Sequence, residues 1–167
     1  ETEKTFHIRK LTDSFRNISA ITDLHFQGDS LWITTTVGGL HLYHVKEDQH
    51  ELFSHDRREN GINYNSLLSI YIDDAGIVWV GTNGKGLNFY HPGTSKFTVY
   101  SEKSTGPFKL DMKSVRAILE VENLLLVGGY NGFNRINTKS GTTVHEMAGY
   151  PVYAFCRSRN NPGQIFV

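Results

Sequence analysis

Short groups of apolar residues recur along the chain at a nearly constant interval. Trp32 and Trp79 are 47 residues apart, and Leu126 follows Trp79 by another 47. Around each of these positions the same order of apolar runs, glycine-rich turns and aromatic residues returns. A fixed period of this length indicates supersecondary units that stack on one another, because one such unit cannot cover its own apolar faces.

Each copy divides into four short runs with the composition of β-strands. The first run carries apolar residues three positions apart, and a turn rich in Gly, Asp and Asn leads to the second. Another glycine-rich turn leads to a third run, in which side chains alternate between two faces, and a weaker fourth run follows. In the clearest copy the runs lie at 67–70, 78–80, 87–90 and 97–100. No segment sustains a helical period, so the pattern predicts an all-β chain.

Four short antiparallel strands, repeated at this period, are typical of the blades of a β-propeller. The sequence therefore predicts a fragment of about three and a half four-stranded antiparallel blades, cut from a larger ring. Gly81 is expected to lie where two backbones approach closely. The predicted units are an outer strand of a preceding blade with a linker at 1–18, three blades at 19–61, 62–109 and 110–150, and the start of a further blade at 151–167, whose first run carries Val152 and Phe155.

Residues 65–90 closely resemble the two-component regulator propeller repeat. The resemblance lies in an acidic, glycine-containing turn at 73–76, then Trp79, Gly-Thr at 81–82, Gly-Leu at 86–87 and an aromatic pair at 89–90. The first copy has Thr-Thr at 34–35 in place of Gly-Thr, and the third has Leu126 in place of the tryptophan. Neither departure conflicts with the fold of a blade.

The resemblance implies a specific biological setting. Such propellers form the periplasmic sensory part of hybrid two-component regulators of gut Bacteroidetes, which are anchored in the inner membrane by a single helix. A histidine kinase and often a DNA-binding response domain follow in the full-length protein, and the signals are oligosaccharides released from polysaccharides. The expected partners are thus an oligosaccharide, the rest of the propeller and the downstream signalling domains, with no enzyme activity in this segment.

Composition narrows the function classes further. Seventeen basic residues balance seventeen acidic ones, so the chain has no charge footprint for nucleic acid or for a membrane surface. No run of eighteen apolar residues is present in the sequence. The single cysteine, Cys156, excludes an internal disulfide and is predicted to be a small buried residue of the last copy.

Ligand binding is expected at the loops between second and third strands and at those that lead into the first strands. Both sets of loops open on one face of a propeller, near its axis. Tyrosines, amides and a few cations there would suit a sugar, although every blade carries polar loops on this face. The candidate ligand-binding residues are Arg57, Arg58, Tyr64, Asn83, Lys85, Lys113, Tyr130 and Asn131. No catalytic residue, metal site or cofactor is predicted.

Three local patterns indicate ordinary strands and turns. Residues 83–86 contain Gly-Lys-Gly but lead into a strand, whereas a phosphate-binding loop leads into a helix. The turn at 73–76 lacks the later glutamate of a calcium-binding loop and is predicted to be a hairpin turn. His41 and His44 are three apart, which on a strand places them on opposite faces and argues against a shared metal.

Two other function classes stay open on sequence grounds. A propeller glycosidase or lyase would need two acidic residues beside the sugar, and Asp23 and Asp111 are the residues that could supply them. A structural propeller would instead use a broad apolar patch to contact a protein partner or to form a homodimer.

Overall fold

The computed structural model describes residues 20–55, 61–91, 93–94, 96–105 and 108–167, and the regular elements in these ranges are all β-strands. They form three four-stranded sheets and one two-stranded sheet. The first sheet contains β1 (Ile21–Gln27), β2 (Ser30–Thr35), β3 (Leu40–His44) and β4 (Gln49–Phe53). The second contains β5 (Leu67–Ile72), β6 (Val78–Thr82), β7 (Leu87–His91) and β8 (Lys96–Tyr100). The third contains β9 (Val115–Val121), β10 (Leu124–Gly129), β11 (Phe133–Asn137) and β12 (Thr143–Glu146), and the last contains β13 (Cys156–Arg157) and β14 (Ile165–Phe166).

The sheets are arranged as successive blades of a propeller. Strands follow chain order within each sheet, and every neighbouring pair is antiparallel. The first strands of successive four-stranded sheets contact one another, β1 with β5 and β5 with β9. These strands are therefore innermost, while β4, β8 and β12 lie at the outside. The predicted all-β fold of four-stranded antiparallel propeller blades is confirmed.

The hydrophobic core lies between blades. Trp32 and Leu40 of the first blade pack with Ile70 and Val80 of the second. The same arrangement returns one blade later, where the core contains Trp79, Leu87, Val115 and Val127. The repeated tryptophan and leucine positions thus cover the apolar face of the neighbouring blade, which explains why each copy needs the next one.

The turn at 73–76 is held together by one carboxylate. Asp73 Oδ1 accepts the N–H groups of Ala75 at 3.0 Å and Ile77 at 2.8 Å, and Oδ2 accepts Trp79 Nε1–H at 2.9 Å. Both oxygens are therefore engaged with protein donors within the repeat. The segment is the hairpin turn that the sequence predicts.

Each turn between a second and a third strand ends in a glycine that no other residue could replace without strain. These glycines have φ angles in the left-handed region, and a Cβ on any of them would overlap a backbone carbonyl oxygen of the outermost strand. Their N–H groups donate to carbonyl oxygens of the segment that leads into the next sheet. The pairs are Gly39 with Asn65 (3.1 Å), Gly86 with Lys113 (2.7 Å) and Gly132 with Tyr150 (2.7 Å).

Close backbone approach also occurs where the sequence predicts it. A Cβ on Gly81 would overlap Ser69 Oγ and Val115 O, and one on Gly128 would overlap Val152. Since Val115 and Val152 belong to the following units, these glycines let adjacent blades meet. The expectation for Gly81 is confirmed.

Two expectations for the last copy are wrong. The first strand of the fourth sheet lies at Cys156–Arg157, beyond the predicted Val152 and Phe155. Val152 is nevertheless buried and packs with Leu126 and Phe133 of the third blade, so its role between blades is the expected one. Cys156 is exposed, because its short strand pairs only with β14 and no described residue covers it.

Candidate functional site

The predicted loops of the second and third blades meet on one face. The turn after β6 and the segment leading into β9 are joined by a β-bridge between Asn83 and Ser114, and Ser114 Oγ donates to Asn83 Oδ1 at 3.4 Å. The bond from Gly86 N–H to Lys113 O lies beside this bridge. Loops from two different blades therefore form one continuous surface.

Two adjoining clefts open on this surface. The first, here called the lysine cleft, has a volume of about 450 Å³ and is lined by Asn63, Gly84, Lys85, Gly86, Ser101, Glu102, Lys103 and Lys113. The second, the tyrosine cleft, has a volume of about 400 Å³ and is lined by Glu102, Asp111, Met112, Lys113, Ser114, Tyr130 and Asn131. Glu102 and Lys113 belong to both clefts, so the two form one polar, solvent-open groove.

The lysine cleft carries an excess of positive charge. Lys113 Nζ lies 3.8 Å from Glu102 Oε2, and the two side chains are 71% and 41% exposed. A pair this exposed contributes little to stability and leaves both groups available to a ligand. Lys85 and Lys103 line the same cleft and form no ion pair with another described residue.

The predicted residues divide into three groups. Lys85, Lys113, Tyr130 and Asn131 line the clefts. Asn83 is exposed and stands beside the tyrosine cleft through its bond to Ser114, whereas Tyr64 is partly buried and lines neither cleft. Arg57 and Arg58 lie outside the described residues.

The two asparagines that line the clefts on this surface already form hydrogen bonds with the loops themselves. Asn63 Nδ2 donates to Lys85 O at 2.8 Å. Asn131 Oδ1 accepts Gly149 N–H at 2.6 Å, and Asn131 O accepts His145 Nε2 at 2.5 Å. These bonds fix the shape of the groove, so its lysines, tyrosine and serines are better placed than its amides to meet a ligand.

The carboxylates of the two acidic residues considered for catalysis accept hydrogen bonds from the protein itself. Asp23 Oδ2 accepts the N–H of Ile70, in the next blade, at 3.0 Å, and its Oδ1 accepts Leu24 N–H at 2.9 Å. Asp111 Oδ2 accepts Asn134 Nδ2–H at 3.3 Å. Asp23 belongs to the first blade and Asp111 to the segment that leads into the third. Each therefore has a local structural partner.

Sequence reasoning missed two residues of this face, Arg116 and Tyr153. The guanidinium carbon of Arg116 lies 4.5 Å from the centroid of the Tyr130 ring and 5.1 Å from that of Tyr153. Arg116 follows the buried Val115 at the start of β9, and Tyr153 follows the buried Val152 ahead of β13, at the position where the second copy has Leu68. Their difference from one copy to the next is the signal that could have identified them.

Neither a metal centre nor a membrane span is found in the part of the chain that the structure describes. No group of three or more His, Cys, Asp or Glu side chains there is close enough to hold a metal ion. A helix with the length and apolar character needed to cross a bilayer is also absent from these residues.

Residues 61–84 match the family model of the two component regulator propeller. The clearest copy is such a repeat. The resemblance expected from its sequence is thus confirmed over the turn at 73–76, Trp79 and the Gly-Thr at 81–82. No curated protein is similar enough to the chain to count as a relative.

Solved structures share the propeller fold of this chain. The extracellular domain of a hybrid two component system from B. thetaiotaomicron is 18% identical, with a TM-score of 0.77 over 91% of this chain and 22% of that one. The extracellular domain of a one component system from the same organism is 21% identical, with a TM-score of 0.74 over 92% of this chain and 20% of that one. The WD40 repeats of RRP9 are 13% identical, with a TM-score of 0.62 over 81% and 41%. The chain thus spans about a fifth of the length of the two bacterial domains.

Proposed function

We propose that this chain is part of a non-catalytic sensor propeller that recognises an oligosaccharide in a periplasmic two-component sensor histidine kinase. Ligand binding would change the arrangement of the signalling domains across the membrane and so regulate transcription. The observation that carries the proposal is the groove formed by the two clefts, which joins Lys85, Lys113 and Tyr130 on the loop face of a regulator-type propeller.

The chemistry of the groove supports a sugar ligand. Sugars offer hydroxyl groups to polar side chains and flat apolar faces to aromatic rings, and Tyr130 with its neighbouring lysines and serines provides both kinds of contact. The groove is open and shared by two blades, which suits an extended ligand. Its lining differs from blade to blade, whereas the core positions between blades repeat.

The proposed setting rests on the matched repeat and on the similar structures. The family is described as a regulator propeller, and two similar structures are extracellular domains of bacterial signalling systems. These likenesses support a periplasmic position in an inner-membrane-anchored protein. The proposed partners besides the oligosaccharide are the rest of the propeller and the signalling domains, and a homodimer stays a prediction.

The geometry favours a sensor over a glycosidase or lyase. Asp23 and Asp111 each bind a group of the protein itself, and only Asp111 lines the groove. A hydrolase of the usual kind needs two carboxyl groups on either side of one glycosidic bond. The described carboxylates of the groove, Glu102 and Asp111, are each engaged with a neighbouring side chain.

Titration calorimetry of the full-length protein against host and plant oligosaccharides tests the proposal. We expect one class to bind, and Lys113→Ala to weaken that binding because Lys113 lines both clefts. Lys139→Ala is the matched control, since this lysine is exposed on the turn after β11, away from the groove lining. Absence of binding to every oligosaccharide in the panel, or an equal loss of affinity in both variants, would overturn the proposal.

A further inference from the structure

Arg116 stands at a β-bulge that recurs in every complete blade. The register of each innermost strand against its neighbour shifts at one residue: between Ile21 and Asp23, between Leu67 and Ser69, and between Val115 and Ala117. The residues passed over are Thr22, Leu68 and Arg116. A bulge turns the extra side chain away from the regular alternation of the strand, and bulges are common beside binding sites. In the third blade, the residue turned in this way is a cation.

The guanidinium of Arg116 is packed against two tyrosines without an acidic partner. It lies over the rings of Tyr130 and Tyr153, and its Nη2 donates to Tyr130 Oη. Its Nε is buried and has no hydrogen-bond acceptor among the described residues. No described Asp or Glu forms an ion pair with it. We call Arg116, Tyr130 and Tyr153 the Arg–Tyr cluster.

The tyrosines of the cluster are open to solvent. Tyr130 is 48% exposed and Tyr153 is 56% exposed, and the two rings meet edge to face with centroids 6.0 Å apart. The cluster therefore presents aromatic surface next to a planar cation, which can donate two parallel hydrogen bonds to an anion.

The backbone holds the cluster in place. Val152 N–H donates to Gly129 O at 2.7 Å, and Gly132 N–H donates to Tyr150 O at 2.7 Å. These bonds fix the segment that carries Tyr153 against the turn that carries Tyr130. A site built on such paired backbone needs little reordering when a ligand arrives.

The cluster adjoins the tyrosine cleft through Tyr130. Two carboxylates line that cleft, but Glu102 lies beside Lys113 and Asp111 accepts a hydrogen bond from Asn134. The charge of Lys113 reduces the repulsion between Glu102 and an incoming anion. The guanidinium of Arg116 is a cation of this region that has no acidic side chain paired with it among the described residues.

We propose that the Arg–Tyr cluster binds the acidic group of the oligosaccharide, either a uronate carboxylate or a sulfate ester. The guanidinium receives the anionic oxygens, and an exposed tyrosine ring packs against the sugar that bears them. This inference rests on the proposed function and narrows it to acidic sugars.

Binding of the full-length protein to matched oligosaccharides tests this inference. The panel contains oligogalacturonides, their methyl esters, neutral galacto-oligosaccharides and sulfated galacto-oligosaccharides, together with the corresponding glucuronate-containing and sulfated host disaccharides. Each positive ligand is then titrated against Arg116→Gln and Arg116→Lys. Arg135→Gln is the matched control, because Arg135 lies on β11 in the same blade and pairs with Glu146.

We expect acidic ligands to bind and the esters and neutral sugars to bind weakly or not at all. Arg116→Gln should weaken the binding about 10- to 100-fold, the range for one or two hydrogen bonds to a charged group, and Arg116→Lys should restore only part of it. If Arg116→Gln weakens the binding of carboxylate ligands alone, or of sulfated ligands alone, the affected class identifies the anion that the cluster binds. Arg135→Gln should bind as the parent does.

The outcomes separate the two proposals. Binding of neutral sugars alone, or acidic-sugar binding that Arg116→Gln leaves unchanged, overturns the acidic-sugar inference and leaves the sensor proposal standing. No binding of any saccharide overturns both. If Arg116→Gln fails to fold, as judged by its unfolding temperature, the exposed Tyr153→Ala takes its place, and unchanged affinity in that variant also overturns the inference.

Discussion

Asn88 on β7 is joined to Asn63, in the segment that leads into its own blade, by a pair of hydrogen bonds. Asn88 Oδ1 accepts Asn63 N–H at 3.0 Å, and Asn88 Nδ2 donates to Asn63 Oδ1 at 2.9 Å. Asn134 and Asp111 repeat the arrangement in the next blade, at 3.0 and 3.3 Å. Asn88 and Asn134 are completely buried, so the third strands of the second and third blades each use one amide to fix the start of their blade.

Replacing Asn88 by leucine should destabilise the protein. The substitution keeps the number and branching of the side-chain heavy atoms but leaves the backbone N–H and side-chain oxygen of Asn63 without their partner, at a cost of about 1–3 kcal/mol. We expect the free energy of unfolding in urea to fall by that amount. Asn160→Leu is the control, because Asn160 is exposed and its change should stay within about 0.5 kcal/mol. Equal effects in the two variants would contradict the role of the buried amide.

Two glycines of one turn allow the energetic cost of backbone strain to be distinguished from that of steric overlap. Gly84 has a φ of 113° and open space around its Cα, whereas Gly86 has a φ of 83° and a Cβ there would overlap Tyr100 O. Gly84→Ala should therefore cost about 1–2 kcal/mol and Gly86→Ala about 2–4 kcal/mol in the free energy of unfolding. Gly163→Ala, at ordinary φ and with only a van der Waals contact, should be nearly neutral. A Gly86→Ala variant as stable as Gly163→Ala would refute the argument.

The fold could be predicted because its causes repeat along the chain. Trp32, Trp79 and Leu126 mark equivalent core positions, and the turn glycines recur for the same backbone reason each time. The first strand of the last copy could be predicted less accurately. Val152 has the expected burial, but the strand begins only at Cys156. A strand of two residues has too few positions to show an alternation of apolar and polar side chains in the sequence.

The candidate site was predicted only in part, because its residues come from non-repeating positions. Lys85, Lys113, Tyr130 and Asn131 follow from the general rule that loops on one face meet. Arg116 lies within a strand and reaches this face through a bulge, which strict alternation along the strand does not reveal. Tyr64 stays a prediction that the geometry does not place at the clefts, since the loop that carries it is on the expected face but its side chain lines neither cleft.

The carboxylate of Asp23 should matter for stability and not for chemistry. Asp23→Asn retains an oxygen that can accept Ile70 N–H and should change the free energy of unfolding by less than about 1 kcal/mol, whereas Asp23→Ala should lower it by about 1–3 kcal/mol. Urea unfolding measures both. If the full-length protein released reducing sugar from a glycan and Asp23→Asn abolished that release, the structural assignment of Asp23 would be wrong.

His41 takes the place on β3 that Asn88 and Asn134 take in the other blades, and it gives the first blade a dependence on pH. Its side chain is almost entirely buried, and Nδ1 shares a hydrogen bond of 2.8 Å with His50 Nε2. Burial, and then the charge of His50, lower the pKa of His41 from 6.5 to about 4. Because the unfolded chain binds this proton more tightly, the stabilising contribution is complete above pH 6.5 and is lost as the pH falls towards 4.

His41→Asn should remove this pH dependence, because asparagine fits the equivalent position in the other blades and does not titrate. We expect the free energy of unfolding of the parent protein to fall by about 1–3 kcal/mol more than that of His41→Asn between pH 6.5 and 4. Urea unfolding at several pH values in this range measures the difference. His91→Asn is the control, since His91 is exposed at the end of β7 and its variant should follow the parent curve. Parallel curves for the parent and His41→Asn would show that protonation of His41 is not what destabilises the first blade in acid.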